Sequence, residues 1–202
     1  MNHASPVLVV LAAGQGSRFA GPGHKLEQPL GHSTVLGRTL ATALASRLRV
    51  VVVCTESLAP VVRRSIAARD VVVLGTEAAA QGMGRSIAAG VAAAADAPGW
   101  LILPGDMPLL KAETLRAVAA QLQHDPVVFA QHRGQRGHPV GFSAELYSEL
   151  SALQGDEGAR RLLARYAAQP VVVDDPGVLL DVDTADDLAK VQARDSQPGE
   201  LR

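Results

Sequence analysis

The chain has 202 residues, enough for one large domain with a substantial interior, and 48% of them are hydrophobic. Aromatic residues make up only 3%, too few for a surface that reads nucleic acid by stacking on its bases. With 19 basic and 20 acidic side chains the formal net charge is −1, so no basic field draws in nucleic acid or anionic lipid, and an anionic substrate must be caught locally.

Taken in chain order, the pattern begins with a β-branched run at residues 7–11. The apolar stretch 7–13 has no basic region before it and is too short to span a bilayer. A soluble, cytoplasmic protein is the expectation. Further Val/Leu/Ile runs at 49–54, 71–74, 100–103, 127–130 and 171–173 read as strands buried on both faces. Between and after them, amphipathic stretches predict helices at 34–47, 58–69, 84–95, 112–123, 144–153, 158–168 and 184–193. This alternation predicts an α/β fold, a mostly parallel sheet flanked by helices. Residues 131–143 are glycine-rich and read as a loop leading to a short returning strand. One domain over 1–195 is expected, with a frayed polar tail at 196–202. Cys54, the single cysteine, sits in a valine run and reads as core filler.

The segment Leu11-Ala12-Ala13-Gly14-Gln15-Gly16-Ser17-Arg18-Phe19 follows the first strand and leads to Lys25. In open α/β sheets ligands bind beyond the carboxyl ends of the strands, and small residues there let backbone N–H groups approach phosphate oxygens. Arg18 and Lys25 would add positive charge. The P-loop is excluded because no Gly-Lys is followed by Ser or Thr. The dinucleotide fingerprint fails at its third position, where Phe19 stands, and Gly21-Pro22-Gly23 delays any helix.

Asp106, in Pro104-Gly105-Asp106-Met107-Pro108 after the fourth run, stands where a carboxylate can hold Mg²⁺ against a triphosphate. Asp183 is a second metal candidate, although Asp183 or Thr184 also suits a helix N-cap. Asp181 is the weaker candidate, expected to point away from the site. Gly82, Met83 and Ser86 precede or open a helix whose backbone donors could meet ribose or phosphate, with Ser86 alternatively a plain cap. The remaining histidines, including His24 and His132, show no metal-ligand spacing.

The first loop resembles the signature LAAGxGxRxGxxK of the molybdenum-cofactor-type nucleotidyltransferases. Five further blocks follow in that family's order. They are Gly82-Met83-Gly84-Arg85-Ser86, Pro104-Gly105-Asp106-Met107-Pro108, Arg136-Gly137-His138-Pro139-Val140, Gly155-Asp156-Glu157-Gly158-Ala159-Arg160 and Asp181-Val182-Asp183-Thr184-Ala185-Asp186-Asp187-Leu188. Gly84-Arg85 stands where the family has two serines. The third and fourth of these blocks resemble the cytidylyltransferase branch in particular.

The resemblance implies a Rossmann-like nucleotidyltransferase fold and Mg²⁺-dependent transfer of CMP from CTP to the phosphate of molybdopterin, releasing pyrophosphate. It implies Arg18, Lys25 and Asp106 as catalytic residues, with Asp106 and Asp183 on the metal. Leu11, Ala12, Ala13, Gly14, Gly16, Arg18, Lys25, Gly82, Met83 and Ser86 would hold the nucleotide. Arg136, His138, Asp156 and Arg160 would hold the acceptor. No general base is needed, because a phosphate monoester is already ionised, with a second pKa of about 6. The expected state is a monomer that touches a receiving molybdoenzyme or its chaperone transiently. Three alternatives stay open: GTP or another triphosphate with a different phosphorylated acceptor, a dinucleotide-binding redox protein, and a non-catalytic nucleotide-binding assembly factor.

Overall fold

The structure, a computed structural model, describes residues 5–14, 16, 18–155 and 159–195. The tail 196–202 and the start of the helix expected at 158 lie outside the described residues. Its centre is a seven-stranded sheet. The strands are β1 (Val7–Ala12), β4 (Val50–Thr55), β5 (Val71–Leu74), β6 (Gly99–Pro104), β7 (Val127–His132), β8 (Gln135–Ser143) and β9 (Gln169–Val172). Their spatial order is β5-β4-β1-β6-β8-β7-β9. A two-stranded ribbon of β2 (Pro29–Leu30) and β3 (Ser33–Thr34) stands apart from it. Strands β5, β4, β1 and β6 are mutually parallel, and β7 and β9 run the same way. Strand β8 runs antiparallel to both neighbours.

Side-chain alternation divides the core into two layers. Leu8, Val10, Val52 and Leu101 face one side. There they meet buried residues of α1 (Val35–Ala45), α5 (Ala112–Gln121) and α8 (Ala185–Asp195). Val7, Val9, Val53, Trp100 and Ile102 face the other side. There they meet α4 (Met83–Ala92), α6 (Tyr147–Ser151) and α7 (Arg160–Arg165). Cys54 is fully buried, and burial raises its thiol pKa to about 11, so it stays protonated as core filler. No helix among the described residues is long and apolar enough to cross a membrane.

Two expectations are corrected. Residues 131–143 do not form a loop with a short strand; Gln131 and His132 end β7, and Gln135–Ser143 form the nine-residue β8, deep in the sheet. Their glycines serve close packing. A Cβ on Gly137 would meet the Val178 carbonyl oxygen at 2.2 Å, and one on Gly141 would meet Val128 at 2.7 Å. Only Arg133 and Gly134 turn, both at positive φ, as a two-residue hairpin requires. The helix expected at 58–69 shrinks to α2 (Ala59–Val62) and a separate 3-10 turn, Ala68–Asp70. Pro60 and the β-branched Val61 and Val62 are poor material for extending it. A short α3 (Thr76–Ala79) also precedes α4.

Candidate active site

The carboxyl ends of β1 and β6 open into a cleft of about 550 Å³. Gly105 N–H donates to the Leu11 carbonyl at 2.8 Å, and a Cβ there would lie 2.9 Å from that same oxygen. Glycine is therefore what lets the Asp106 turn lie against the first strand's exit. The segment carrying Asp181 and Asp183 is tied in by Val182 N–H, which donates to the Asp106 carbonyl at 3.0 Å.

Asp106, 9% exposed, meets the ammonium of Lys25, with Nζ 2.6 Å from Oδ2. The same Nζ lies 2.7 Å from Asp183 Oδ1, and Arg18 Nη1 lies 2.7 Å from Asp183 Oδ2. Desolvation pulls the Lys25 pKa down, but the attraction of Asp106 and then Asp183 outweighs it, so the pKa rises and the amine stays charged at neutral pH. Asp181 joins the group: one carboxylate oxygen each from Asp106, Asp181 and Asp183 lie within 4.8 Å of one another. The expectation that Asp181 points away is thus corrected. Residues two apart in an extended segment share a side, and it is Val182 between them that turns into the core. Partial desolvation in the cleft, and then the Asp106 charge, raise the Asp181 pKa.

Thr184 caps α8, with its hydroxyl accepting from Asp187 N–H while Asp187 accepts from Thr184 N–H. Asp183 is thereby left to the cleft. Three carboxylates with no sulfur or imidazole among them form a hard, all-oxygen donor set of the kind Mg²⁺ or Mn²⁺ takes. Among the described residues Asp106 Oδ1 is buried without a hydrogen-bond partner, as a ligand atom for a cation would be.

Along the opposite wall, Gly82 opens α4 with φ 92°, a conformation suited to glycine, and makes no side-chain cap. Ser86 lies inside this helix, 5% exposed, so it is not the cap, and it lines the cleft together with Gly82 and Met83. Gly84 N–H donates to the Gly155 carbonyl at 2.9 Å, and Gly155 N–H donates to Gln81 at 3.0 Å. A Cβ on Gly84 would sit 2.8 Å from the Gln154 carbonyl. Glycine rather than serine here brings the helix entry onto the 153–155 loop. Gly84→Ala is expected to lower the unfolding free energy by about 1–3 kcal/mol, because the clash is with backbone, which cannot turn aside; urea unfolding measures it.

The cleft wall also includes Leu11, Ala13, Gly14, Gly16, Arg18, Lys25, His138 and Arg160. Ala12 does not contribute, since strand alternation sends it into the core at 0% exposure. Arg136 is exposed and lies over the Phe129 ring, 4.9 Å from its centre, rather than on the cleft wall. Asp156 lies outside the described residues. Among the described residues His138 Nδ1 is buried without a partner, and burial lowers the ring's pKa against the opposing pull of Asp181, which leaves it neutral.

His24 was not singled out from the sequence. Its Nδ1 accepts from Leu26 N–H at 3.2 Å, so the proton resides on Nε2, which donates to the Gly14 carbonyl at 3.0 Å. One ring thus fixes the glycine turn to the Lys25 turn. The available signal was its place directly before Lys25. His24→Ala is expected to raise the KM for nucleotide about fivefold, the loss of one hydrogen bond. His24→Asn, which keeps a cap acceptor, should recover stability without recovering KM, and steady-state kinetics beside thermal melts separates the two.

The chain is similar in sequence and in fold to known proteins. A family model described as the MobA-like NTP transferase domain matches residues 8–171. Purine catabolism protein PucB of Bacillus subtilis is 34% identical over 203 residues, covering 93% of this chain and 97% of PucB. The molybdenum cofactor cytidylyltransferase of Escherichia coli is 25% identical over 186 residues, covering 92% of this chain and 95% of that enzyme. The crystal structure of Rv0371c from Mycobacterium tuberculosis superposes with a TM-score of 0.78 at 30% identity, covering 94% of this chain and 98% of that one. Rv0371c has also been solved in complex with manganese.

Proposed function

Because the chain belongs to the MobA-like NTP transferase family, we propose that it transfers CMP from CTP to the phosphate of molybdopterin, with Mg²⁺ and release of pyrophosphate. An oxygen of the acceptor phosphate forms the new bond to the α-phosphorus, and the bond from that phosphorus to the α–β bridging oxygen breaks. Asp106 and Asp183, with Asp181 beside them, would hold Mg²⁺, which would supply positive charge to the triphosphate oxygens. The backbone of Gly14 and Gly16 receives the phosphates, and Lys25 and Arg18 neutralise the charge that builds on the departing pyrophosphate. His138 and Arg160 of the cleft wall hold the acceptor, with Asp156 of the same block as Arg160; Arg136 stands outside the cleft and has no part in it. The neutral His138 offers a hydrogen bond rather than a charge. The single observation that carries this reading is the meeting of Lys25, Asp106 and Asp183 at the mouth of the glycine turn.

The branch assignment draws on the Arg136–Val140 and Gly155–Arg160 blocks and on the Escherichia coli relative. Another triphosphate or acceptor is the second reading, favoured by the greater identity to PucB and by Gly84-Arg85 in place of two serines. Incubation with Mg²⁺, molybdopterin and each of the four nucleoside triphosphates, with pyrophosphate measured, tests both. CTP is expected to be turned over fastest. Equal or faster turnover of GTP would overturn the cytidylyl assignment, and CTP binding without any pyrophosphate would favour a non-catalytic role. The expected working state is a cytoplasmic monomer that hands its product to a molybdoenzyme or its chaperone.

A further inference from the structure

The carboxylates of the cleft already have a cation among them. Lys25 Nζ lies 2.6 Å from Asp106 Oδ2 and 2.7 Å from Asp183 Oδ1. The Lys25 side chain is 11% exposed and that of Asp106 12%, so little water screens the pair. Arg18 holds the remaining oxygen of Asp183 at 2.7 Å. Asp106 Oδ1 has no partner among the described residues, but both oxygens of Asp183 are taken, so a magnesium ion that needs contacts of about 2.0–2.1 Å to both carboxylates must displace a cation from Asp183.

From this we infer that Lys25 is the resident counter-cation of the metal carboxylates, and that divalent metal enters the site as its nucleoside triphosphate complex rather than as the free ion. Free metal would have to expel a desolvated ammonium with no anion to receive it, and an uncompensated charge in such a place is costly. The triphosphate removes that cost. The Lys25 stem runs along the glycine turn, its Cγ 3.3 Å from where a Cβ on Gly16 would stand. Rotation about the side-chain bonds carries Nζ from the carboxylates toward phosphates lying on that turn, and the metal takes the place it leaves. Arg18, 76% exposed at its side chain, is free to swing the same way. Lys25 thus acts twice, first holding Asp106 and Asp183 in place and then gripping the substrate. This rests on the reading of Asp106 and Asp183 as metal ligands.

The test uses the full chain and Mn²⁺, followed by water-proton relaxation enhancement. Without nucleotide, Lys25→Met is expected to bind Mn²⁺ at least tenfold more tightly than the wild type, and Mn²⁺ should raise its melting temperature by more. Lys25→Gln serves the same purpose should the methionine variant fail to fold. Unchanged or weaker Mn²⁺ affinity in the foldable variant, with the wild type still taking up Mn²⁺ when CTP is added, overturns the inference and leaves the metal assignment standing. No enhancement in any of these proteins, with or without CTP, removes the metal assignment and this inference with it.

Discussion

Asp106→Asn is expected to lower pyrophosphate-forming turnover by on the order of 10²–10³-fold, a loss typical of removing one preorganised charge-stabilising group, while the protein stays folded. The separation of the two effects follows from how the residue is built in. Its structural work belongs to the backbone, where the Asp106 carbonyl receives Val182 N–H and the neighbouring Gly105 N–H reaches Leu11. Neither bond involves the carboxylate. The carboxylate itself meets Lys25 through Oδ2 and leaves Oδ1 buried and, among the described residues, unpartnered. Asparagine keeps the volume and loses the charge that a cation requires. Steady-state kinetics at saturating Mg²⁺ beside a thermal melt reads both quantities. Turnover within twofold of the wild type would show that Asp106 does not serve the reaction.

The largest expected effect on stability comes from Asp175→Ala. Asp175 is 2% exposed, and its carboxylate accepts from Lys111 N–H at 2.9 Å, the Thr114 hydroxyl at 2.6 Å and Gly177 N–H at 2.9 Å. Lys111 stands at the N-cap of α5 and makes no side-chain cap of its own, so a residue 64 positions away caps that helix. Alanine would leave these donors without an acceptor in the interior. The expected loss is about 3 kcal/mol, which for a chain of this size lowers the melting temperature by roughly 6–12 °C. The 3-10 turn Pro176–Leu179 that follows leads into Asp181 and Asp183, so turnover should fall as the turn loosens. A melting temperature within 2 °C (about 0.5–1 kcal/mol) of the wild type would contradict this account.

Much of this architecture was legible because parallel strands covered on both faces must be apolar throughout, and the runs of Val, Leu and Ile announced them. The glycine turn was legible only in part: Gly16 sits at positive φ, whereas a Cβ on Gly14 would meet open space and Gly105 is required by its approach to the distant Leu11 carbonyl. Strand β8 was not. Gly137 and Gly141 look like loop residues until Val178 and Val128 are seen to occupy the space a side chain would need. The expected outward direction of Asp181 failed on strand geometry, since it shares a side with Asp183 around the buried Val182. His24 and Asp175 act through long-range bonds to Gly14 and Lys111, and no local pattern marks such partners. The choice between Asp183 and Thr184 as cap was open in the chain, and the Thr184–Asp187 pair decides it.

The proposed reaction requires one cleft to hold the triphosphate on the Gly14–Lys25 side and a divalent cation on Asp106 and Asp183. A crystal structure with Mn²⁺ and a non-hydrolysable CTP analogue tests it most directly. An anomalous manganese peak is expected between Asp106 and Asp183, with the triphosphate lying against Gly14 and Gly16 and Lys25 moved onto it. Nucleotide bound away from this turn, or manganese held by other residues, would contradict it.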